Sequence, residues 1–334
     1  QELAYEIADW NTSGTSNIWV KVPSISGTTT VITAAWGKTG TETTPDYATT
    51  DPVWSNGYEG VWHFSTNSNS FPDSSPNAHH ATRNAVGVSN AGQIGQAATF
   101  TGSEFADVSY SSFLNTDQFT VTLWAKRGSG TGYAAPYSSR GQNDGTRGYF
   151  LYSKDGNFQF RTGKGIPGGP WSETPESSAH SNSTWYHVTS TYDGTTKQIW
   201  LNGVAGSTNN DSSNYAKNYL YSLRIGAGAN ETANGNFFWV GELDEMRYSS
   251  TNRSADWIKA EYDNQKSSGT KLVSYGSITG PRIITSLLTA TGTFNSSFSY
   301  TLTATDSSNI SSRVFYGLPE GLDFNDNGQI TGTP

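Results

Sequence analysis

The stretch Phe238–Tyr248 contains three carboxylates, Glu242, Asp244 and Glu245. Its apolar residues lie around a glycine that shifts their phase, and the pattern predicts a β-strand. Glycoside hydrolysis with retention needs two carboxyl groups about 5–5.5 Å apart. Glu242 and Asp244 share one face of the predicted strand, Glu245 points to the other, and the glycosidase spacing Glu-x-Asp-x-x-Glu is absent. We therefore predict no catalytic residue, and glycan cleavage by Glu242 and Asp244 stays an alternative.

Other catalytic groups are few. The chain has five histidines, and only His79 and His80 are adjacent. Beyond this loop pair, no histidine has the spacing of a metal ligand set. His187 follows Trp185 and Tyr186 in a predicted strand, which favours a buried core residue over a general base. No Ser–His–Asp arrangement or phosphate-binding loop can be identified, so the sequence favours a non-enzymatic role.

The segment 133–171 combines aromatic side chains with planar polar ones. Sugars stack their C–H faces on aromatic rings, and their hydroxyl groups accept bonds from forked donors such as arginine. The run 163–171 is a Gly/Pro-rich loop that ends in Trp171, which a folding core hardly requires. The predicted glycan-binding residues are Tyr133, Tyr137, Arg140, Asn143, Arg147, Arg161 and Trp171.

Composition narrows the classes of partner and compartment. The 334 residues carry a formal charge of −8, no cysteine and no basic run, and aromatic residues make up 13%. Phosphate binding needs clustered Lys and Arg, so nucleic acid is not an expected partner. No apolar run has the roughly 20 residues that a membrane span needs, so no membrane insertion is expected. Acidic, cysteine-free, Thr/Asn/Gly-rich chains are frequent among exported bacterial proteins, and we expect a piece of a longer secreted or cell-surface protein.

Short apolar-alternating segments and abundant turn residues predict an all-β fold. Arg253–Tyr262 is the exception, a short amphipathic helix with Ser254 as its N-cap. Over residues 61–265 the chain resembles laminin-G-like (concanavalin A-like) jelly-roll modules of bacterial surface proteins. Seven segments carry the resemblance in family order: Val61–Phe64, Phe71–His80, Gly92–Gly102, Phe119–Ala125, Trp185–Thr189, Ile199–Gly203 and Phe238–Tyr248.

This resemblance implies a structural calcium ion, because the family commonly places a calcium ligand where Asp244 stands. Calcium takes several oxygen ligands at about 2.3–2.6 Å. The loop Asp73–Asn77 lies near that strand in this fold, so the predicted ligands are Asp73, Asn77, the Gly102 carbonyl and Asp244. The family usually has Asp where Thr101 stands. The alternative is that Asp73 begins a turn and that Asp244 is a satisfied edge carboxylate.

The flanking regions resemble two other families. Residues 1–60 contain Ala4–Trp10, Ile18–Pro23 and, across the boundary, Tyr58–His63, and these resemble a truncated bacterial domain of unknown function (DUF2341) with predicted strands at 3–8, 17–22 and 30–36. A composite sheet between 1–60 and the jelly roll is a further possibility. Residues 266–282 form the predicted linker. Residues 283–334 resemble part of an immunoglobulin- or cadherin-like repeat, with Leu318, Leu322, Phe324 and Ile330 as core.

These features predict a non-catalytic carbohydrate-binding module of a secreted or surface-anchored bacterial protein, acting in adhesion or polysaccharide targeting with a polysaccharide or glycoconjugate glycan as partner. Two alternatives remain. One is a structural spacer or protein-interaction module of a large adhesin, and the other is the glycan-cleaving enzyme described above.

Overall fold

The fold is known from a computed structural model. It describes residues 3–25, 30–34, 50–66, 68–141, 147–165, 172–173, 177–209, 215–228, 237–269, 271–276, 286, 289–303, 318–325 and 327–334. The chain divides into two compact units. The first contains residues 1–30 and 42–273, and the second contains residues 31–41 and 274–334.

The described chain is mostly strand, as predicted. The strands before residue 110 are β1 Tyr5–Asp9, β2 Asn17–Val20, β3 Tyr58–Trp62, β4 Ser70–Phe71, β5 Ala81–Asn84, β6 Gly87–Ser89, β7 Ala97–Thr101 and β8 Phe105–Val108. The next are β9 Phe119–Arg127, β10 Ala134–Gly141, β11 Arg147–Lys154, β12 Asn157–Thr162, β13 Ser172–Glu173, β14 Trp185–Tyr192, β15 Lys197–Leu201, β16 Val204–Asn209, β17 Leu223–Ile225 and β18 Val240–Ser249. The helices are α1 Thr50–Val53 and α2 Ala255–Gln265, with a 3₁₀ turn at Ser112–Leu114.

Two eight-stranded antiparallel sheets make the sandwich of the first unit. The front sheet has the order β13-β12-β11-β10-β17-β8-β5-β4, and the back sheet has the order β16-β15-β14-β9-β18-β7-β6 with β3 also paired to β18. Each sheet contributes alternate side chains to one aromatic core. At its centre Phe119 of β9 lies 4.8 Å from Tyr149 of β11 and 5.6 Å from Tyr248 of β18, measured between ring centroids.

The side chains that point away from this core define a front face on the front sheet and a back face on the back sheet. Strand pairing aligns one front-face row across five strands: Arg161, Phe150, Ser138, Arg224 and Asp107. Their immediate neighbours along the strands, such as Leu151 and Ile225, are buried in the core. The alternation predicted from the sequence is therefore the alternation that separates core from surface.

The N-terminal region does not end where the sequence predicts a boundary. β1 and β2 form a separate two-stranded sheet, whereas β3 crosses residue 60 and pairs with β18. Residues before the predicted boundary thus contribute to the jelly-roll sheet. The third predicted strand, 30–36, is wrong over residues 30–34, which lie outside regular secondary structure, and residues 35 and 36 lie outside the described part.

The second unit contains a three-stranded antiparallel sheet in the order β19-β21-β20, formed by Phe298–Thr301, Gln329–Gly332 and Leu322–Phe324. Of its predicted core residues, Ile330 is buried, whereas Leu318, Leu322 and Phe324 are half-buried. The immunoglobulin- or cadherin-like repeat stays a prediction, as does the DUF2341-like domain.

Strand β18 contains a bulge that the sequence does not predict. Its register with β9 shifts between Asp244 and Arg247, and Glu245 adopts a left-handed conformation with φ 50°. An extra residue in one strand reverses the alternation beyond it. Leu243 and Met246 both lie in the core, and the prediction that Glu245 points away from Asp244 is wrong, because both carboxylates lie on the back face.

Gly241 in the same strand tests this geometry. Its φ is 134°, and a Cβ at this position would lie 2.1 Å from the Lys126 carbonyl oxygen. We expect Gly241→Ala to lower the free energy of unfolding by about 2 kcal/mol or more, because it combines backbone strain with a clash against a paired strand. Urea unfolding measures it. Gly132→Ala is the control, since nothing lies within 4 Å of its Cβ, and equal effects of both substitutions would contradict the expectation.

Candidate functional site

The front face carries an aromatic cluster built from three chain segments. Tyr133 precedes β10, Tyr152 lies in β11, and Phe237 runs beside β10, where its carbonyl accepts a bond of 2.8 Å from the Ala135 amide. The ring centroids of Tyr133 and Tyr152 are 5.2 Å apart, and Phe237 lies 5.5 and 5.2 Å from them respectively. Tyr152 is buried, whereas Tyr133 and Phe237 are half-buried and form the accessible part of the cluster.

Strand alternation explains why these residues reach the front face. In β11, Tyr149 and Leu151 enter the core, so Tyr152 points the other way. In β12, Phe158 and Phe160 enter the core, and the residues between and beyond them, Gln159 and Arg161, lie on the front face. Aromatic and polar side chains therefore meet on adjacent strands.

Two arginines hold this cluster together. A terminal nitrogen (Nη2) of Arg161 donates to Gln159 Oε1 at 2.6 Å and to the Tyr133 hydroxyl at 3.4 Å. Its guanidinium carbon lies 5.5 Å from the Tyr133 ring centroid and 5.7 Å from that of Tyr152, within cation–π range. A terminal nitrogen (Nη1) of Arg140 donates to the Tyr152 hydroxyl at 3.3 Å. Rings and forked donors on one surface are the groups that a sugar ring requires.

Protonation states support this description. Burial raises the pKa of Tyr152, although Arg140 and Arg161 partly oppose the shift, so the phenol stays neutral at pH 7. Burial lowers the pKa of Arg140, but a guanidinium remains charged at neutral pH. The cluster therefore offers the neutral Tyr152 hydroxyl group and the cationic Arg140, which can bind and orient the hydroxyl groups of a ligand.

The structure brings together some of the predicted glycan-binding residues and separates others. Tyr133, Arg140 and Arg161 lie in the cluster. Tyr137 is a correction: it is fully buried in the core, because it lies one residue out of phase with the front face. Arg147 contacts a different ring, because its guanidinium carbon lies 5.1 Å from the Tyr219 ring centroid. Asn143 and Trp171 lie outside the described residues.

Tyr152, Gln159 and Phe237 are not among the glycan-binding residues predicted from the sequence, where the neighbours of Tyr152 leave its face open. Alternation along a strand could have indicated that Tyr152 and Gln159 face outward, because their apolar neighbours Leu151 and Phe158 are core candidates. Phe237 follows no strand pattern, and its place depends on a contact with a distant strand.

The back face carries a buried network of charged groups centred on His63. His63 Nδ1 lies 2.8 Å from Glu245 Oε1, and His63 Nε2 lies 3.4 Å from Glu6 Oε2. Glu6, from β1, also accepts bonds from the Trp54 indole and, at 2.7 Å, from the Ser74 hydroxyl. Burial alone would lower the pKa of His63, but Glu245 and Glu6 outweigh it and raise the pKa to about 10. The imidazole is therefore charged at pH 7.

Arg247 extends the network to helix α2. Its guanidinium donates to Glu245 Oε2 at 2.7 Å and to Glu261 Oε1 at 2.5 Å. The rings of Trp19 and Trp54 cover it, with centroids 4.4 and 4.8 Å away. Glu245 of β18 is thus paired beneath the N-terminal segment and the helix.

This burial bears on the glycan-cleaving alternative. Glu242 accepts a bond of 2.7 Å from Lys126 Nζ and another from the Ser89 hydroxyl. Asp244 is completely buried, and burial followed by the charge of Glu245 raises its pKa well above the usual range. Two carboxylates in an open cleft are what the alternative requires, and Asp244 does not meet that condition.

The predicted calcium ligands differ in how far their oxygens are engaged within the protein. Both oxygens of Asp73 are engaged: Oδ1 accepts from the Val61 and Ser75 amides, and Oδ2 accepts from the Ser75 hydroxyl and the His79 amide, all at 2.7–2.8 Å. This is the turn-forming role of the alternative. The Asn77 side-chain nitrogen donates to Glu59 at 2.8 Å, and the Gly102 backbone nitrogen donates to Glu104 at 3.0 Å. Neither bond uses the oxygen that would ligate calcium.

Asp244 keeps an available oxygen, because Oδ2 accepts from the Ile94 amide at 2.9 Å while Oδ1 is buried without a partner. No group of three or more His, Asp or Glu arranged for a metal occurs in the described part of the chain. Calcium at Asp244 stays a prediction.

A family model described as the concanavalin A-like lectin/glucanases superfamily matches residues 98–259. The fold is a concanavalin A-like jelly roll. No curated protein matched the chain.

No helix in the described ranges combines the length and apolar character needed to cross a membrane.

Many solved structures resemble this jelly roll. The binding domain of Paraclostridial Mosquitocidal Protein 1 is 14% identical with a TM-score of 0.51, and the match covers 62% of this chain and 52% of that one. This chain thus spans about half of that structure. Domain 4 of AbnA, an extracellular GH43 arabinanase from Geobacillus stearothermophilus solved with arabinotriose, is 17% identical with a TM-score of 0.50, covering 60% of this chain and 96% of that domain. At these identities the likeness establishes the fold.

The His63 network predicts a dependence of stability on pH. A group whose pKa is raised on folding stabilises the protein fully below its unfolded pKa, here about 6.5, and loses that contribution as pH rises through the folded value of about 10. We expect the free energy of unfolding from urea titrations to fall between these pH values in the wild type. His63→Gln should remove most of this slope. A slope of unchanged size in the variant would contradict the charged state of His63.

The calcium prediction has its own measurement. If Asp244 ligates calcium, added CaCl2 raises the melting temperature by mass action and EDTA reverses it, because the ion binds only the folded state. Asp244→Asn, which keeps the shape of the side chain, should abolish the calcium response. Equal responses in both proteins, or none in the wild type together with no metal in elemental analysis, would contradict calcium at Asp244.

Proposed function

We propose that this chain is a non-catalytic carbohydrate-binding module and that it binds its glycan on the front face of the jelly roll. The observation that carries the proposal is the cluster of Tyr133, Tyr152 and Phe237 held by Arg140 and Arg161. Aromatic rings offer a surface for sugar C–H groups, and the arginines and Gln159 offer hydrogen bonds to hydroxyl groups. These are the two kinds of contact that discriminate a sugar from a general apolar ligand.

Two further findings support binding rather than catalysis. The front-face cluster contains phenols, an amide and guanidinium groups, and Glu242 and Asp244 on the back sheet are paired or buried. A structure of similar fold, the AbnA domain, was solved with arabinotriose. The glycan itself, a polysaccharide or a glycoconjugate, is left to the experiment.

We further propose that the module belongs to a secreted or cell-surface bacterial protein, where it serves adhesion or polysaccharide targeting. The support is compositional: the chain is acidic and cysteine-free and rich in Gly, Ser, Thr and Asn. A spacer or protein-interaction role in a large adhesin is the alternative function.

A glycan array followed by calorimetry tests the proposal. We expect the wild-type chain to bind at least one glycan and Tyr133→Ala to weaken that binding about tenfold, since one stacking ring contributes on the order of 0.5–1.5 kcal/mol beyond its buried area. Arg161→Lys should also weaken it, because lysine cannot reproduce the forked donor.

Tyr275→Ala is the matched control, because this tyrosine is 90% exposed and belongs to the other compact unit. Unchanged melting temperatures show that the variants fold. No glycan bound by the wild type, or equal loss in Tyr133→Ala and Tyr275→Ala, would favour the spacer role.

A further inference from the structure

A second polar cleft lies on the back face of the sandwich. It has a volume of about 250 Å³ and lies between strands β14 and β15 and the start of helix α2. The lining residues that matter here are Thr191, Asp193, Gln198, Trp200, Asn252 and Ser254. The cleft is separate from the front-face cluster, because the two open on opposite sheets, and from the His63 network, with which it shares no residue.

Strand alternation places an indole and an amide side by side in this cleft. Ile199 and Leu201 of β15 enter the core, so Gln198 and Trp200 lie on the back face. The Trp200 indole nitrogen donates to the Thr191 hydroxyl at 3.3 Å, and the side chain is 8% exposed. The polar end of the indole is thus satisfied within the protein, and its apolar surface is left to form part of the wall.

Polar groups with remaining hydrogen-bonding capacity surround the indole. Gln198 donates its amide nitrogen to the Gly206 carbonyl at 3.4 Å, which leaves its side-chain oxygen as an acceptor. The side-chain amide of exposed Asn252 makes no hydrogen bond to a described residue. Ser254 accepts from the Trp257 amide at 3.2 Å, so its hydroxyl hydrogen is available as a donor. Donors and acceptors therefore converge on one small volume.

The charge of the cleft selects against acidic ligands. Burial would raise the pKa of Asp193, but bonds from Thr196 and Thr195 outweigh it and lower the pKa, so the carboxylate stays ionised. Arg253 also borders the cleft, but its guanidinium donates to the Asn56 carbonyl. The guanidinium carbon lies 4.8 Å from the Tyr58 ring centroid and 4.4 Å from the Trp257 ring centroid. The Arg253 guanidinium is thus held by contacts with Asn56, Tyr58 and Trp257, and Asp193 is the carboxylate that borders the cleft.

We propose that this cleft binds one neutral sugar residue, as a second carbohydrate site on the face opposite the first. The volume lies below the 300–1,000 Å³ typical of pockets for drug-sized ligands, which suits a single ring. An indole wall, two amides, a hydroxyl and a carboxylate acceptor match the alternating C–H and hydroxyl surfaces of a pyranose. The inference takes its ligand class from the proposed function, but it rests on different residues.

Indole resonances of the ¹⁵N-labelled full chain test the proposal, with the Trp200 signal assigned from Trp200→Phe. The probes are the methyl glycosides of glucose, galactose, mannose, xylose and arabinose, with methyl glucuronide as the acidic comparison. We expect at least one neutral glycoside to shift the Trp200 signal saturably and methyl glucuronide to bind more weakly. Asn252→Ala and Gln198→Ala should each weaken the neutral glycoside about threefold to tenfold, the value of one hydrogen bond.

Tyr133→Ala separates the two sites. It should leave the Trp200 titration unchanged while weakening glycan binding at the front face. The experiment can therefore contradict the proposal for one site without contradicting the proposal for the other. No shift of the Trp200 signal by any neutral glycoside overturns the proposal. A shift that Tyr133→Ala removes and Asn252→Ala leaves intact also overturns it, because the signal would then report the front face. Equal binding of methyl glucuronide overturns the assignment of a neutral ligand.

Discussion

The bulge in β18 is the constraint on which the back half of the sandwich depends. A regular strand would place Glu245 on the same face as Leu243, and a carboxylate in that aromatic core would cost several kcal/mol unless it were paired. The extra residue at φ 50° lets Leu243 and Met246 both reach the core while Asp244, Glu245 and Arg247 stay on the back face. One local departure from alternation therefore separates the apolar and charged residues of the whole strand.

The charged residues released by the bulge join three segments that are far apart in sequence. Glu245 and Arg247 of β18 meet His63 just beyond β3, Glu6 of β1 and Glu261 of α2. The Coulombic gain of a buried ion pair is largely offset by desolvation, whereas removing one partner leaves a buried charge uncompensated. The network is therefore better understood as fixing where the N-terminal segment and α2 dock than as a large net source of stability.

The sequence pattern predicted those elements that depend on interactions between residues close together in the chain. The strand at β9, the helix at α2 and its Ser254 cap follow from alternation and capping preference, and all three are confirmed. Tyr137 and Tyr152 show the limit, because which face a tyrosine takes depends on register, and a shift of one residue exchanges core and surface. The pairing of His63 with Glu245 spans 182 residues, and no short pattern reveals it.

The two faces of the sandwich differ because different elements cover them. On the back face, Trp19 and Trp54 cover Arg247, and Glu245 and Arg247 join the N-terminal segment and α2 to the sheet. Glu242 and Asp244, the carboxylates that first suggest catalysis, are engaged by Lys126 and by the Ile94 amide. The front-face cluster keeps half-buried rings and guanidinium groups at its surface. The central strands of each sheet give alternate residues to the core, so the remaining positions are the ones at which binding chemistry can vary without altering the core. Gln159 and Arg161, next to Phe158 and Phe160, occupy such positions.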